Sequence, residues 1–177
     1  MPLGSDYASQ ACSLARALEV VGERWTLLIL RDCFYGVRRF TDLHRHLGVP
    51  RAVLAERLES LTEAGVLRRE EAGPGRVEYL LTERGQELWP ALHALYGWGE
   101  RHAAAVPRRR IFRHVACDTG SGDAELDDAG RCPSCGATPE AGEIRVHPGP
   151  GLAGEPEPAE PVGRALLSPQ RLLEPLT

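Results

Sequence analysis

The sequence contains no lysine; all 21 of its basic residues are arginine. With its richness in Ala, Gly and Pro, this points to a GC-rich coding source and says nothing of function. Long apolar runs are also missing. The longest, Leu27 to Leu30 with Trp25 just before it, is far too short to cross a membrane. No charged start leads into an apolar stretch, so no secretory signal is expected and the cytoplasm is the expected compartment. Five cysteines are an odd number, which argues against a disulfide framework and for metal or thiol chemistry. No Ser/His/Asp grouping, paired carboxylates or phosphate loop stands out, so an enzyme is not expected.

What is present has the composition of a globular protein: 42% hydrophobic and 26% charged over 177 residues. That length allows one ordinary domain and a small appendage. Charge is unevenly spread. Residues 1–113 hold 17 Arg against 14 acidic residues, while residues 114–177 hold 4 Arg against 11. The front part can meet a polyanion; the back part would be repelled by one.

Leu14, Leu18 and Val21 recur at helical spacing until Gly22, and Trp25, Leu28, Ile29 and Cys33 share the apolar face of a second helix. Thr41 is read as the N-cap of a short helix through Leu47, stopped by Gly48. "PRAVLAERLESLTEAG" predicts the next helix, with Pro50 at its start and Leu54, Leu58 and Leu61 as its buried stripe. Two helices joined by a glycine-containing turn form a helix-turn-helix. Strand-like runs at 66–71 and 76–81 flank Ala72-Gly73-Pro74-Gly75, which predicts a hairpin wing. A long helix is expected from Thr82 to about His102, kinked at Pro90. Its apolar groups spread around most of its surface, which calls for a partner subunit.

Residues 107–113 read as a linker. Beyond them, His114-x-x-Cys117 and Cys132-x-x-Cys135 are two knuckle pairs, the layout of a zinc site. Four protein ligands leave no open position, so the zinc would be structural, supplying folding energy on the order of 10 kcal/mol. His147 and Asp118 are reserve ligands in place of His114, and the acidic run from Asp123 to Asp128 reads as a solvated loop. The rest is Pro/Gly/Glu-rich and reads as disordered, except that "VGRALLSPQRLLEPL" is apolar enough to form a short helix if it finds a docking surface. The expected division is therefore residues 1–106 as a DNA-binding and dimerisation domain, 107–113 as linker, 114–147 as a zinc-ribbon-like module and 148–177 as tail. The expected fold class is mainly α with a small β-wing.

The stretches "CSLARALEVVGERWTLLILRDCFYGVRRFTDLHRHLGVPRAVLAERLESLTEAGVLRREE" and "YLLTERGQEL" resemble the HxlR-type bacterial transcription regulators. These are winged helix-turn-helix proteins related to the MarR group. The resemblance covers roughly residues 11–103. It implies a homodimer on an inverted repeat of double-stranded DNA, usually a repressor. It also implies sensing of oxidants or electrophiles by a cysteine at the position of Cys12. Two departures stand out: Pro50 where the family usually has Ser, and Cys12-Ser13 where it has Cys-Pro.

Residue chemistry fills in this picture. Arg51, Ala52 and Ala55 lie on the outward side of the recognition helix, where Arg reads a guanine edge and Ala meets a thymine methyl. Glu56 and Glu59 on the same side would repel phosphate. Arg38, Arg39 and Thr41 start the preceding helix and are candidate phosphate contacts. Arg76 at the wing would reach the backbone or minor groove. Cys12 sits near a helix start with Arg16 one turn on, both of which lower a thiol pKa. Cys33, on an apolar face, reads as inert core. Trp89, Tyr96 and Trp98 offer aromatic walls for a small-molecule effector. The other reading is a zinc-ribbon interaction module whose DNA binding is secondary.

Overall fold

The computed structural model describes residues 7, 10–104, 107–120 and 124–176. Its order is α1 (Ser13–Val21), α2 (Thr26–Phe34), α3 (Phe40–Leu47), α4 (Arg51–Glu63), β1 (Leu67–Gly73), β2 (Arg76–Leu81), α5 (Glu83–Gln86), α6 (Trp89–His102), β3 (Arg110–His114), β4 (Ile144–Pro148), α7 (Pro161–Ala165) and β5 (Gln170–Arg171). The class is mixed α and β with two small antiparallel sheets.

The leucine stripe of α4 behaves as its spacing requires: Leu54, Leu58 and Leu61 are all buried. They meet Leu43 of α3 and Ile29, Leu30 and Phe34 of α2 in the core. Gly48 closes α3 at φ +64, a left-handed C-cap that glycine adopts without penalty. β1 and β2 pair from Leu67↔Leu81 to Glu71↔Val77 and make the wing. Tyr79 N–H also donates to the Arg38 carbonyl, which ties the chain before α3 to the wing.

Two helix boundaries differ from expectation. The N-cap of α3 is Arg39, and Thr41 lies inside the first turn. Arg38 is bound to Tyr79 of the wing, Arg39 after it is extended at φ −96 and ψ 141, and the helix starts at Phe40. The stretch from Thr82 to His102 is two helices rather than one kinked helix. Thr82 caps the short α5, its hydroxyl accepting from Gly85 N–H. Pro90 stands in the first turn of α6, where its missing N–H costs nothing, so it starts that helix.

The larger corrections lie beyond residue 107. Within the expected linker, Arg110 to Arg113 belong to β3, which pairs antiparallel with β4 through Phe112↔Val146 and His114↔Ile144. Ala124 and Leu126 of the expected solvated loop are buried, and backbone bonds run from His114 N–H to Ala124 and from Leu126 N–H to Phe112. The tail is ordered as well: Val162, Leu166 and Leu172 are buried, and β5 pairs with β4. Leu173 N–H donates to the Phe34 carbonyl (2.8 Å) and Leu176 N–H to the Gly36 carbonyl (3.1 Å). The ribbon sheet, the tail and the winged helix therefore share one apolar core. Phe112 is the suture, its ring 5.0 Å from Trp89, 5.1 Å from Tyr96 and 5.6 Å from His93.

Candidate functional site

Arg51 is the first residue of α4 and exposed. Its guanidinium lies 5.1 Å over the ring of Phe40 at the start of α3, a cation–π contact that narrows its rotamers. Ala52 and Ala55 are exposed on the same helix, as are Glu56 and Glu59. With three leucines buried beneath, the outward face of α4 offers one cation and two small residues in its first turns. Arg39 and Thr41 are exposed at the start of α3. Asp42 occupies the same first turn and puts its own negative charge on the helix N-terminus. Arg76 is exposed beside the wing turn and pairs with Glu78 at 2.9 Å.

Arg38 is the exception among the expected contacts. Its guanidinium donates to the Leu173 carbonyl at 2.9 Å and lies 3.9 Å from Glu78. The tail claims the side chain that the sequence assigned to phosphate. The apolar stretch from Val162 to Leu176 reads as a short helix in need of a docking surface, and nothing local says that this surface lies beside Arg38. A groove of about 470 Å3 between Arg38, Arg39, Arg76 and α7 marks where the tail runs beside the wing.

Cys12 is exposed at the N-cap of α1. The Cys12 side chain makes no cap hydrogen bond, but the nearby backbone N–H groups of Ala15 and Leu14 favour the thiolate and lower its pKa below the ordinary thiol value. Arg16 does not take part: it donates to the Tyr7 and Gln10 carbonyls and pairs with Glu19 at 2.8 Å. Cys33 is buried, and that burial pushes its thiol far up, in keeping with an inert core residue.

His114, Cys117, Cys132 and Cys135 come together, one potential ligand atom from each lying within 4.8 Å of every other. β3 delivers His114, a single 3-10 turn delivers Cys117, and a tight knuckle delivers the last pair, with Cys132 N–H donating to Ala137 and Gly136 N–H to Cys132. Burial works against ionisation of Cys132. Donors from the Cys135 backbone, the His114 ring and the Ser134 backbone outweigh it and bring the thiol down to about 7. Three sulfurs and a ring nitrogen converging in this way can hold a metal ion as a closed four-ligand set. The reserve ligands stand apart from it: Asp118 accepts from His147 at 3.0 Å and from Arg145 and Arg113 at 3.2 and 3.3 Å, and so pins the strands behind the knuckles.

The three aromatics expected around an effector do not share a cavity. Trp89 is buried against Phe34 and Phe112. Trp98 is 56% exposed and borders an apolar groove of about 760 Å3 between α1, α2 and α6. Tyr96 lines a different cavity, of about 470 Å3, between α2 and α6. That cavity also holds Arg31 and Arg110, neither of which was singled out from the sequence; nothing local marks them, since they meet only through the fold.

A family profile described as HxlR-like helix-turn-helix matches residues 20–107. The chain is 43% identical over 143 residues to an HTH-type transcriptional regulator of Mycobacterium tuberculosis, Rv3095, covering 79% of this chain and 87% of that one. It is 31% identical over 117 residues to the HTH-type transcriptional regulator YdeP of Bacillus subtilis, covering 63% and 91%. Among solved structures, the candidate transcription factor PA1607 superposes with a TM-score of 0.57 at 34% identity over 68% of this chain and 92% of that one. The redox regulator HypR in its oxidised form superposes with a TM-score of 0.50 at 28% identity, covering 53% of this chain and all of HypR.

Proposed function

We propose that this chain, which belongs to the HxlR-like helix-turn-helix family of transcriptional regulators, is a homodimeric repressor that reads an inverted repeat with the first turns of α4. The observation that carries this reading is Arg51, exposed at the head of α4 and steadied over Phe40, with Ala52 and Ala55 beside it so that the helix can approach base edges closely. Arg39, Thr41 and Arg76 supply phosphate contacts. Arg38 joins them only once it leaves the tail.

The apolar groove between α1, α2 and α6 is where the second subunit packs. It exposes Leu14, Leu18, Leu28, Leu95 and Trp98 side by side, and a rimmed apolar surface of this kind marks an interaction site. Zinc on His114, Cys117, Cys132 and Cys135 is structural: the four ligands close the site and hold the two knuckles against β3. Cys12 senses oxidants or electrophiles, a role favoured by its exposure and its lowered pKa and in keeping with the likeness to HypR. The protein acts by binding in the cytoplasm, not by catalysis; among the described residues no helix is long and apolar enough to cross a membrane. A free-standing interaction ribbon is the weaker reading, because the ribbon sheet shares its core with the winged helix.

The test is fluorescence anisotropy of the purified chain with its own upstream DNA across a salt series. Binding should fall steeply with salt, since each neutralised phosphate releases counterions. Arg51→Ala should lose about 1–3 kcal/mol of affinity for the operator and little for random DNA. Equal losses on both DNAs would remove Arg51 from base reading.

A further inference from the structure

The cavity between α2 and α6, about 470 Å3, is of a size that suits a small organic ligand. Leu27, Leu28, Leu92 and Leu95 make its walls and Tyr96 one side. Its rim is strongly cationic. Arg31, Arg108, Arg109 and Arg110 border it, against the single carboxylate of Glu100.

Three of those cations are already matched. Arg31 lies 2.8 Å from Asp32, Arg108 pairs with Glu125, and Arg109 pairs with Glu155. Arg110 is different. It is half-buried, and among the described residues its guanidinium donates only to two backbone carbonyls, Leu166 at 3.1 Å and Arg109 at 3.4 Å. Among the described residues no carboxylate pairs with it. A partly desolvated cation without a counter-charge is costly, and an anion arriving beside it recovers that cost. Burial, together with the charges of Arg109 and Arg31, pulls the Arg110 pKa down, the direction expected of a cation that lacks a partner.

We propose that this cavity binds an amphipathic organic anion, its apolar body between Leu28 and Leu95 and its carboxylate on Arg110. The site goes beyond the DNA-binding reading and does not depend on it. Leu28 and Leu95 also border the groove assigned above to the second subunit. A ligand here would therefore sit at the edge of the subunit contact, where its binding can bias the spacing of the two recognition helices.

The experiment is isothermal titration calorimetry of the full-length chain, without DNA, using decanoate, with decanol as the uncharged analogue of the same length. Decanoate should saturate near one per chain and bind at least tenfold more tightly than decanol. Arg110→Gln should erase that preference while leaving decanol binding unchanged, with a thermal melt confirming that the variant is folded. The comparison of the two ligands on the unaltered chain stands even if that variant does not fold. Equal binding of decanoate and decanol would overturn the anion assignment. Absence of saturable decanoate binding by a chain that sediments as a dimer would overturn the site, because the second copy then fills it. Neither result touches DNA binding, which is read separately by anisotropy.

Discussion

Replacing Phe112 by alanine tests whether the ribbon and the winged helix are one folding unit. Phe112 is 6% exposed and touches the rings of Trp89, Tyr96 and His93. A buried aromatic side chain removes about 150–200 Å2 from water; at about 25 cal/mol per Å2 that is worth about 4–5 kcal/mol. Alanine retains a fraction of the burial, but the cavity left behind and the lost edge-to-face contacts add to the cost, and measured Phe→Ala losses in cores run at about 3–5 kcal/mol. About 4 kcal/mol is therefore expected, a large share of the roughly 5–15 kcal/mol that a domain possesses. The assay is urea unfolding followed by tryptophan fluorescence, with protein concentration and zinc held fixed because both shift apparent stability. Trp89, in contact with Phe112, reports directly on the junction. One transition that moves to lower urea supports the shared core. A loss below about 1 kcal/mol, or a separate early transition with the main one unmoved, would refute it and return the ribbon to an independent module.

Purified without added metal, the chain should carry about one zinc per molecule by elemental analysis, and Cys132→Ser should abolish it; a full zinc load in that variant would break the ligand assignment. Alkylation of Cys12 by iodoacetamide should follow thiolate fraction, so its rate should reach half-maximum at a lower pH than free cysteine, because the backbone N–H groups at the start of α1 favour the thiolate. A midpoint at or above that of free cysteine, or labelling of native Cys33, would contradict the assigned environments. Gly36→Ala should free the tail: Gly36 sits at φ +87, and an added Cβ would stand 1.7 Å from the Glu174 carbonyl oxygen. Left-handed strain alone costs about 1–2 kcal/mol, so limited proteolysis should cut the last residues sooner, and equal cutting rates would argue that the tail is not held there.

How far the sequence is legible depends on where each element finds its partners. The stripe Leu54, Leu58 and Leu61 is local, and a helix buries it wherever the core lies, so α4 and the wing were readable. The two knuckle pairs were readable for the same reason: tight turns are short-range and the donor chemistry is in the residue types. Thr41 misled because α3 starts one residue earlier, at Phe40, just after Arg38 is bound to Tyr79 of the wing. "PRRRIFR" misled because its four arginines hide a two-residue alternation: Phe112 faces in, as does His114 just beyond the stretch, while Arg113 is only partly covered. That alternation has meaning only opposite Val146 and Ile144 of β4.

The tail was the hardest to read, and its placement changes how the front of the molecule works. Residues 147–161 have the Pro and Gly content of a disordered linker, but Val162 in α7 and Leu166 at its C-cap lie four residues apart on one helical face and are both buried, as is Leu172. Once pinned, the chain between them is held by backbone groups, which any sequence has. Leu173 and Leu176 take the carbonyls of Phe34 and Gly36 at the end of α2, and Leu173 in turn accepts from Arg38. β5, three residues earlier in the chain, belongs to the ribbon sheet. The same short segment thus joins the sheet that carries His114 to the turn that leads into the helix-turn-helix.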